Sequence, residues 1–271
     1  MQGLYKNILH TMQVVSNKQQ VMPKDLLGRS LAYNCFLPRL SNKAYLYENL
    51  KRDRTFKKAL YNNVATLDKV IKTNKFETNE IESGDIVCVL FDDSIGCENE
   101  KYMDSLDYLS MIRRLSPFFV IHDSVFINEY QILESAIGGA DMIVFDTKYL
   151  KAYCECVYAF ENNSLLLDYN MTDIATYIAS NESITKDSAK EATKIHLDKL
   201  LESAYILGLV PIVRIQDRED LVLLHALHNF PHCIYTSYDM IDLLPEETII
   251  FAKNDNMNLQ NKSIDIMIID S

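Results

Sequence analysis

Residues 197–215 read Leu197-Asp198-Lys199-Leu200-Leu201-Glu202-Ser203-Ala204-Tyr205-Ile206-Leu207-Gly208-Leu209-Val210-Pro211-Ile212-Val213-Arg214-Ile215. Leu197, Leu200, Leu201 and Ala204 recur at helical spacing, and Val210 to Ile215 is a short apolar run of the kind a strand buried on both faces needs. A helix feeding such a strand is the unit of a parallel sheet, whose faces are covered by helices.

The same reading extends outward. Further strands are expected at Ala44 to Tyr47, Ile86 to Phe91, Phe118 to Ile121, Met142 to Phe145, Cys233 to Thr236, Thr248 to Ala252 and Ile264 to Ile269. Helical spacing recurs at Phe56, Leu60, Val64 and Leu67, and at Met103, Leu106, Leu109 and Ile112. Eight strand units make the fold class α/β, a closed (β/α)8 TIM barrel forming a single domain over 1–271. Residues 1–43 read as an N-terminal helical extension, with an amphipathic helix from Leu4 to Gln19 and a second helix start at Met22-Pro23-Lys24-Asp25. Strand starts at Met142 and Val210 lie too far apart for one strand, one helix and two loops, which need roughly 25–30 residues. An insertion over 149–193 is therefore expected after the fourth strand, on the side where barrel enzymes carry their sites. Strand starts at 233, 248 and 264 leave room for one helical turn at most, so the helices after strands six to eight are reduced.

Composition limits the partners. A net charge of −11 argues against nucleic acid, which calls for a basic surface. No apolar run approaches the roughly 20 residues of a membrane helix, and the start has no apolar signal core. A soluble, cytoplasmic protein without membrane insertion is expected. Six cysteines, only Cys154 and Cys156 close together, do not make a disulfide framework. Only seven glycines occur, the last of them Gly208, so the C-terminal part lacks the usual means of building a phosphate-cradling loop. No cofactor motif is present. Acidic strand ends at Asp92, Asp93, Asp123, Asp146 and Asp270 read as ordinary solvent-end charges rather than metal ligands. His225, His228 and His232 beside Cys233 have zinc-like spacing, but Pro231 breaks the helix between them. No metal site is expected.

Several segments resemble indole-3-glycerol phosphate synthase of tryptophan biosynthesis. They are Leu26-Leu27-Gly28-Arg29-Ser30-Leu31-Ala32, Tyr108-Leu109-Ser110-Met111-Ile112-Arg113-Arg114, Asn128-Glu129-Tyr130-Gln131-Ile132-Leu133-Glu134-Ser135-Ala136 with Gly139-Ala140-Asp141, and Leu207-Gly208-Leu209 followed by Asp217-Arg218-Glu219-Asp220-Leu221. The resemblance implies a (β/α)8 barrel that closes a ring on a carboxyphenylamino deoxyribulose phosphate, losing CO2 and water. It also implies a lysine acid, carboxylates and a phosphate clamp at the C-terminal strand ends.

The motif positions depart from that chemistry. Where the family's first strand ends Ala-Glu-Val-Lys, Tyr47-Glu48-Asn49-Leu50 keeps the glutamate and puts Leu50 at the lysine. Where the third ends Leu-Arg-Lys-Asp-Phe with its general acid, ungapped counting places His122 at the arginine and Asp123 at the lysine. Arg214 falls on the fifth strand's glutamate and Ser237 on the sixth's asparagine. Lys253 and Asn254 stand in the seventh strand's Ala-Glu-Ser-Gly, while Asp255 and Asp270 fall where phosphate donors belong. A carboxylate in place of an ammonium acid reverses the local charge logic, and carboxylates facing a dianion repel it.

The expectation is a non-catalytic, synthase-like barrel that binds no phosphate ester and serves as a protein-binding or scaffold component. The alternatives are a diverged carbon–carbon lyase or a small-molecule sensor. Ile249, Ile250, Phe251, Ile266, Ile268 and Ile269 stay apolar although helix-length segments beside them are missing. They are the expected contact surface for a protein partner or a second copy, through the C-terminal third.

Overall fold

The computed structural model describes residues 2–32, 57–63, 86–93, 102–115, 118–163, 169–180, 182–253 and 264–270. Eight parallel strands close into a barrel in sequence order. They are β1 Lys57–Asn63, β2 Ile86–Asp92, β3 Phe119–Asp123, β4 Met142–Asp146, β5 Val210–Arg214, β6 Cys233–Tyr235, β7 Ile249–Lys253 and β8 Ile266–Asp270. Closure is made by β1, which pairs with β2 on one side and with β8 on the other.

Strand alternation sorts the core into two shells. Ala59, Cys88, Leu90, Ile121, Met142, Val144, Val210, Ile212, Cys233, Ile249, Phe251, Ile266 and Ile268 form the barrel interior. Their alternate neighbours along the strands, such as Val89, Val120, Ile143 and Val213, pack outward against helices.

The first strand differs from expectation. Residues 57–63 form β1 although Phe56, Leu60, Val64 and Leu67 have helical spacing. A strand lining a barrel needs apolar or aromatic side chains only at alternate positions, here Ala59 and Tyr61. Two lysines and two asparagines hide that pattern, and tertiary pairing overrides the helical one. The segment Ala44 to Tyr47, with Glu48 and Leu50, lies outside the described residues. The first described barrel strand is Lys57–Asn63, which ends Tyr61-Asn62-Asn63.

The expected contact surface is also corrected. Ile249, Ile250, Phe251, Ile266 and Ile268 are buried within the single chain, and Ile269 is half-buried. Four of them face the barrel interior, where no helix is required. Outward-facing Ile250 and Ala252 are covered by Ile241 and Leu244, from the short 3-10 segment Tyr238–Leu243 and its C-terminal flank, and by Ile264 just ahead of β8. One turn therefore does the covering for which a full helix had seemed necessary.

At the N-terminus, helices Gln2–Val21 and Lys24–Ala32 precede the barrel. After β4 come helices Thr147–Asn162 and Met171–Ser180, then the long helix Glu182–Ile206 leading into β5. Tyr5, Ile8 and Leu9 pack with Ala152, Cys156, Ala159, Ile174 and Ile178, over Val125 and Ile127 beyond the end of β3. The N-terminal helix and the inserted helices thus form one apolar unit at the rim. Its polar pins are Tyr5 Oη, which donates to Glu155 Oε2 at 2.5 Å inside the unit, and Lys18, 2.7 Å from Glu134 Oε1. Among the described residues, no helix is long and apolar enough to cross a membrane.

Candidate functional site

The segments that resemble the synthase hold the frame together. Arg113 Nη1 donates to both carboxylate oxygens of Asp141 at 2.7 Å, and Asp141 Oδ2 also accepts from the Val120 amide at 2.9 Å. Asn128 and Gln131 cap helix Glu129–Gly138 reciprocally at its start. At its end, Gly139 adopts φ 99°, a left-handed conformation suited to glycine. Gly138 lies so near helix Tyr102–Leu115 that a Cβ there would come within 2.8 Å of Leu109 Cδ2.

The barrel mouth is built by alternation. Beyond the interior core, strands β1 to β7 each contribute one last inward position: Tyr61, Asp92, Asp123, Asp146, Arg214, Tyr235 and Lys253. These residues engage one another. Arg214 Nη2 is paired with Asp123 Oδ2, and its Nη1 lies 3.3 Å from Asp146 Oδ2. The guanidinium stacks over Tyr235, 4.4 Å from the ring centroid. Tyr61 Oη donates to Asp92 Oδ2 at 2.8 Å, and Lys253 Nζ sits 5.3 Å from the centre of the Tyr61 ring. Gln216 Nε2 donates to Asp146 Oδ1 at 3.3 Å, an oxygen that also accepts from the Lys148 amide at 2.8 Å.

Two carboxylates, at the ends of β3 and β4, thus converge on one guanidinium, and Asp92 at the end of β2 stands beside Asp123 in register. Asp123 is fully buried, and its Oδ1 has no hydrogen-bond partner among the described residues. Burial pushes its carboxyl up to about 7; Arg214 opposes this, while Asp92 and Asp146 add to it. Burial likewise raises Asp146, again against Arg214. Burial disfavours the Arg214 charge, but Asp123 and Asp146 outweigh it and hold the guanidinium protonated. The Tyr235 phenol is pushed up to about 12 by burial. This ring can hold a proton at Asp123, and it places two of the chain's own cations, Arg214 and Lys253, at the mouth.

The other residues singled out by sequence are placed as follows. His122 points away from the mouth. Its Nδ1 lies 2.9 Å from Ser135 Oγ, its Nε2 lies 3.0 Å from Asp93 Oδ2, and its ring stacks on Phe91. Serine, histidine and aspartate meet here as in a hydrolase, but all three are buried between β3 and its helix, so the contact is a strut. Ser237 is exposed and precedes the 3-10 segment. Asn254 and Asp255 lie outside the described residues. His225 packs on Phe230 and His228 is exposed; no metal-holding group of three His, Cys, Asp or Glu is found among the described residues. Cys154 and Cys156 are buried on helix Thr147–Asn162, with thiols pushed up by burial to about 11 and about 12. A groove of about 720 Å3 lies beside the mouth, lined in part by Leu4, Lys148, Lys194, Gln216, Asp217 and Val222.

Sequence reading missed Tyr61 and Tyr235 as mouth residues. The signal was available in the two-residue period of each strand, followed to its last inward position.

A closed (β/α)8 barrel with N-terminal helices, an inserted helical pair at the rim and shortened connections late in the chain is the class of protein that these features define. Along most of its length the chain is similar to indole-3-glycerol phosphate synthases, at low identity. It is 25% identical to the indole-3-glycerol phosphate synthase of Campylobacter jejuni subsp. jejuni, over 96% of this chain and 90% of that protein. Those of Campylobacter hominis and Sulfurimonas denitrificans are each 23% identical; the matches span 90% and 91% of this chain and 81% of either relative. No family model matches the chain. Among solved structures, the YdjI aldolase from Escherichia coli superposes with a TM-score of 0.43 and 9% identity, over 85% of this chain and 81% of that one.

Proposed function

We propose that this barrel has given up the synthase reaction and is retained as a non-catalytic, protein-binding component of an assembly. The observation that carries the first half is the Asp123–Arg214 pair. The positions that the resemblance assigns to an acidic lysine on β3 and a glutamate on β5 hold an aspartate and an arginine, bound to each other. An ammonium group can release a proton and stabilise developing negative charge, whereas a carboxylate next to Asp92 and Asp146 opposes such charge. The end of β1 supplies Tyr61-Asn62-Asn63 and no lysine. Arg214 and Lys253 are the inward cations of the ring, and both are engaged, one by carboxylates and the other over Tyr61. A phosphate ester is therefore not expected to bind.

The protein-binding half rests on the persistence of a well-packed scaffold without its chemistry. The six apolar residues of the last two strands do not provide the surface, being buried or half-buried already. One observation favours a second reading, a new activity on the acidic rim: Asp123 is a buried carboxyl that titrates near neutrality, a property shared with general acids. Calorimetry tests the loss of the synthase reaction. Titration with inorganic phosphate and with the carboxyphenylamino deoxyribulose phosphate is expected to give no binding heat. Saturable binding of either would overturn the proposal.

A further inference from the structure

We propose that the Arg214 bridge across β3 and β4 is a proton-released latch: a proton taken up by Asp123 frees the β3 side of the barrel mouth and leaves Arg214 held by Asp146 alone. The inference does not depend on whether the synthase reaction has been lost.

The geometry selects Asp123 among the carboxylates around the guanidinium. Asp92 accepts from Tyr61, and Asp146 is held by Gln216, the Lys148 amide and Arg214. Asp123 is satisfied only at Oδ2 among the described residues, and its Oδ1 is buried without a partner. An unpaired carboxylate oxygen out of water is the most expensive place for the negative charge and so the most favourable place for a proton. The groups facing Asp123 are Asp92 from β2, Asp146 from β4, Arg214 from β5 and Tyr235 from β6. Tyr61 and Lys253 complete the ring from β1 and β7, while neighbouring His122 faces outward. Among the described residues Arg214 is the sole cation in contact with Asp123, and two further carboxylates raise the Asp123 carboxyl.

The step is a simple protonation. The Asp123 carboxylate becomes a neutral acid, its ion pair with Arg214 becomes an ordinary hydrogen bond at most, and the guanidinium stays charged. Arg214 then rests on Asp146 and on the Tyr235 face, with one-fifth of its side-chain surface already accessible for movement.

The test is carboxyl-carbon NMR of the full chain labelled at aspartate, followed from pH 4.5 to 9, with hydrogen exchange of the Arg214 guanidinium measured alongside. One aspartate resonance, absent from Asp123→Asn, is expected to inflect between pH 6 and 8, with the protection of the Arg214 guanidinium, relative to a free guanidinium at the same pH, falling several-fold below the inflection. In Asp146→Asn, which removes a repulsive charge and concentrates Arg214 on Asp123, the midpoint is expected to fall by about one pH unit or more. An Asp123 resonance that inflects below pH 5, or Arg214 protection that ignores the inflection, would overturn the latch. Should Asp123→Asn not fold, the downward shift in Asp146→Asn decides the matter, and an unmoved midpoint counts against the proposal.

Discussion

Arg214 on β5 reaches past the end of β4 to pair with Asp123 on β3, two strands away, while its other terminal nitrogen stays 3.3 Å from Asp146 on β4 itself. One side chain thus ties three consecutive strand ends. It does so at the positions where the resemblance to the synthases expects the reacting groups, with the signs of charge exchanged.

Removing the guanidinium should be severe. Arg214→Leu leaves Asp123 and Asp146 buried without their cation, and breaking a buried pair by deleting one partner costs about 3–5 kcal/mol. Urea denaturation should show that loss at pH 8. A much smaller one, about 1 kcal/mol or less as for an exposed pair, would mean that the bridge is only a surface contact.

The pH dependence of stability has a definite sign. The native Asp123 carboxyl, raised by burial to about 7 from an ordinary 3.8, binds a proton that the unfolded chain releases first. Its contribution is present in full below about pH 4 and is lost as pH rises through about 7. Asp123→Asn removes that dependence. The variant should gain on the parent between pH 5 and pH 8 by at least about 1 kcal/mol, which corresponds to roughly 2–4 °C in melting temperature for a chain of this size. A difference between the two proteins that stays constant across this range would contradict the assignment.

At the apolar wall, Ile268→Asp should abolish folding rather than disperse an assembly. Ile268 is 1% exposed inside the barrel, and an unpaired charge there is among the few changes that exceed about 4–5 kcal/mol. Circular dichroism of the purified variant checks this. A folded variant with only a changed sedimentation coefficient would restore the strand as a contact surface.

The helix–strand turn before β4 gives a smaller test. Gly139→Ala forces a Cβ into φ 99° and should cost about 1–2 kcal/mol. Thermal melts of the two proteins at pH 7 measure it.

Much of this fold could be read from the chain, because seven strands are apolar, β-branched runs such as Met142-Ile143-Val144-Phe145, which few other environments would bury on both faces. The eighth could not. Lys57-Lys58-Ala59-Leu60-Tyr61-Asn62-Asn63 carries its barrel-facing signal on Ala59 and Tyr61 only, and its place is set by pairing with β2 and β8. Asp123 and Arg214 were legible as departures from the resemblance, but their mutual contact was not, since it depends on barrel curvature bringing β3 and β5 side chains over the end of β4. The supposed contact surface failed for a related reason. Sequence spacing shows how short a connection is, but not that Ile241, Leu244 and Ile264 suffice to cover Ile250.

The account's central claim is that the mouth no longer supports the synthase reaction. The most direct measurement is turnover of carboxyphenylamino deoxyribulose phosphate by the purified chain, followed through indole fluorescence, with the Campylobacter jejuni relative as positive control and heat-inactivated chain as blank. The account predicts a signal equal to the blank at enzyme concentrations where the relative converts all substrate. Steady production above the blank that scales with the amount of this chain, and is abolished in Arg214→Leu that remains folded, would contradict it.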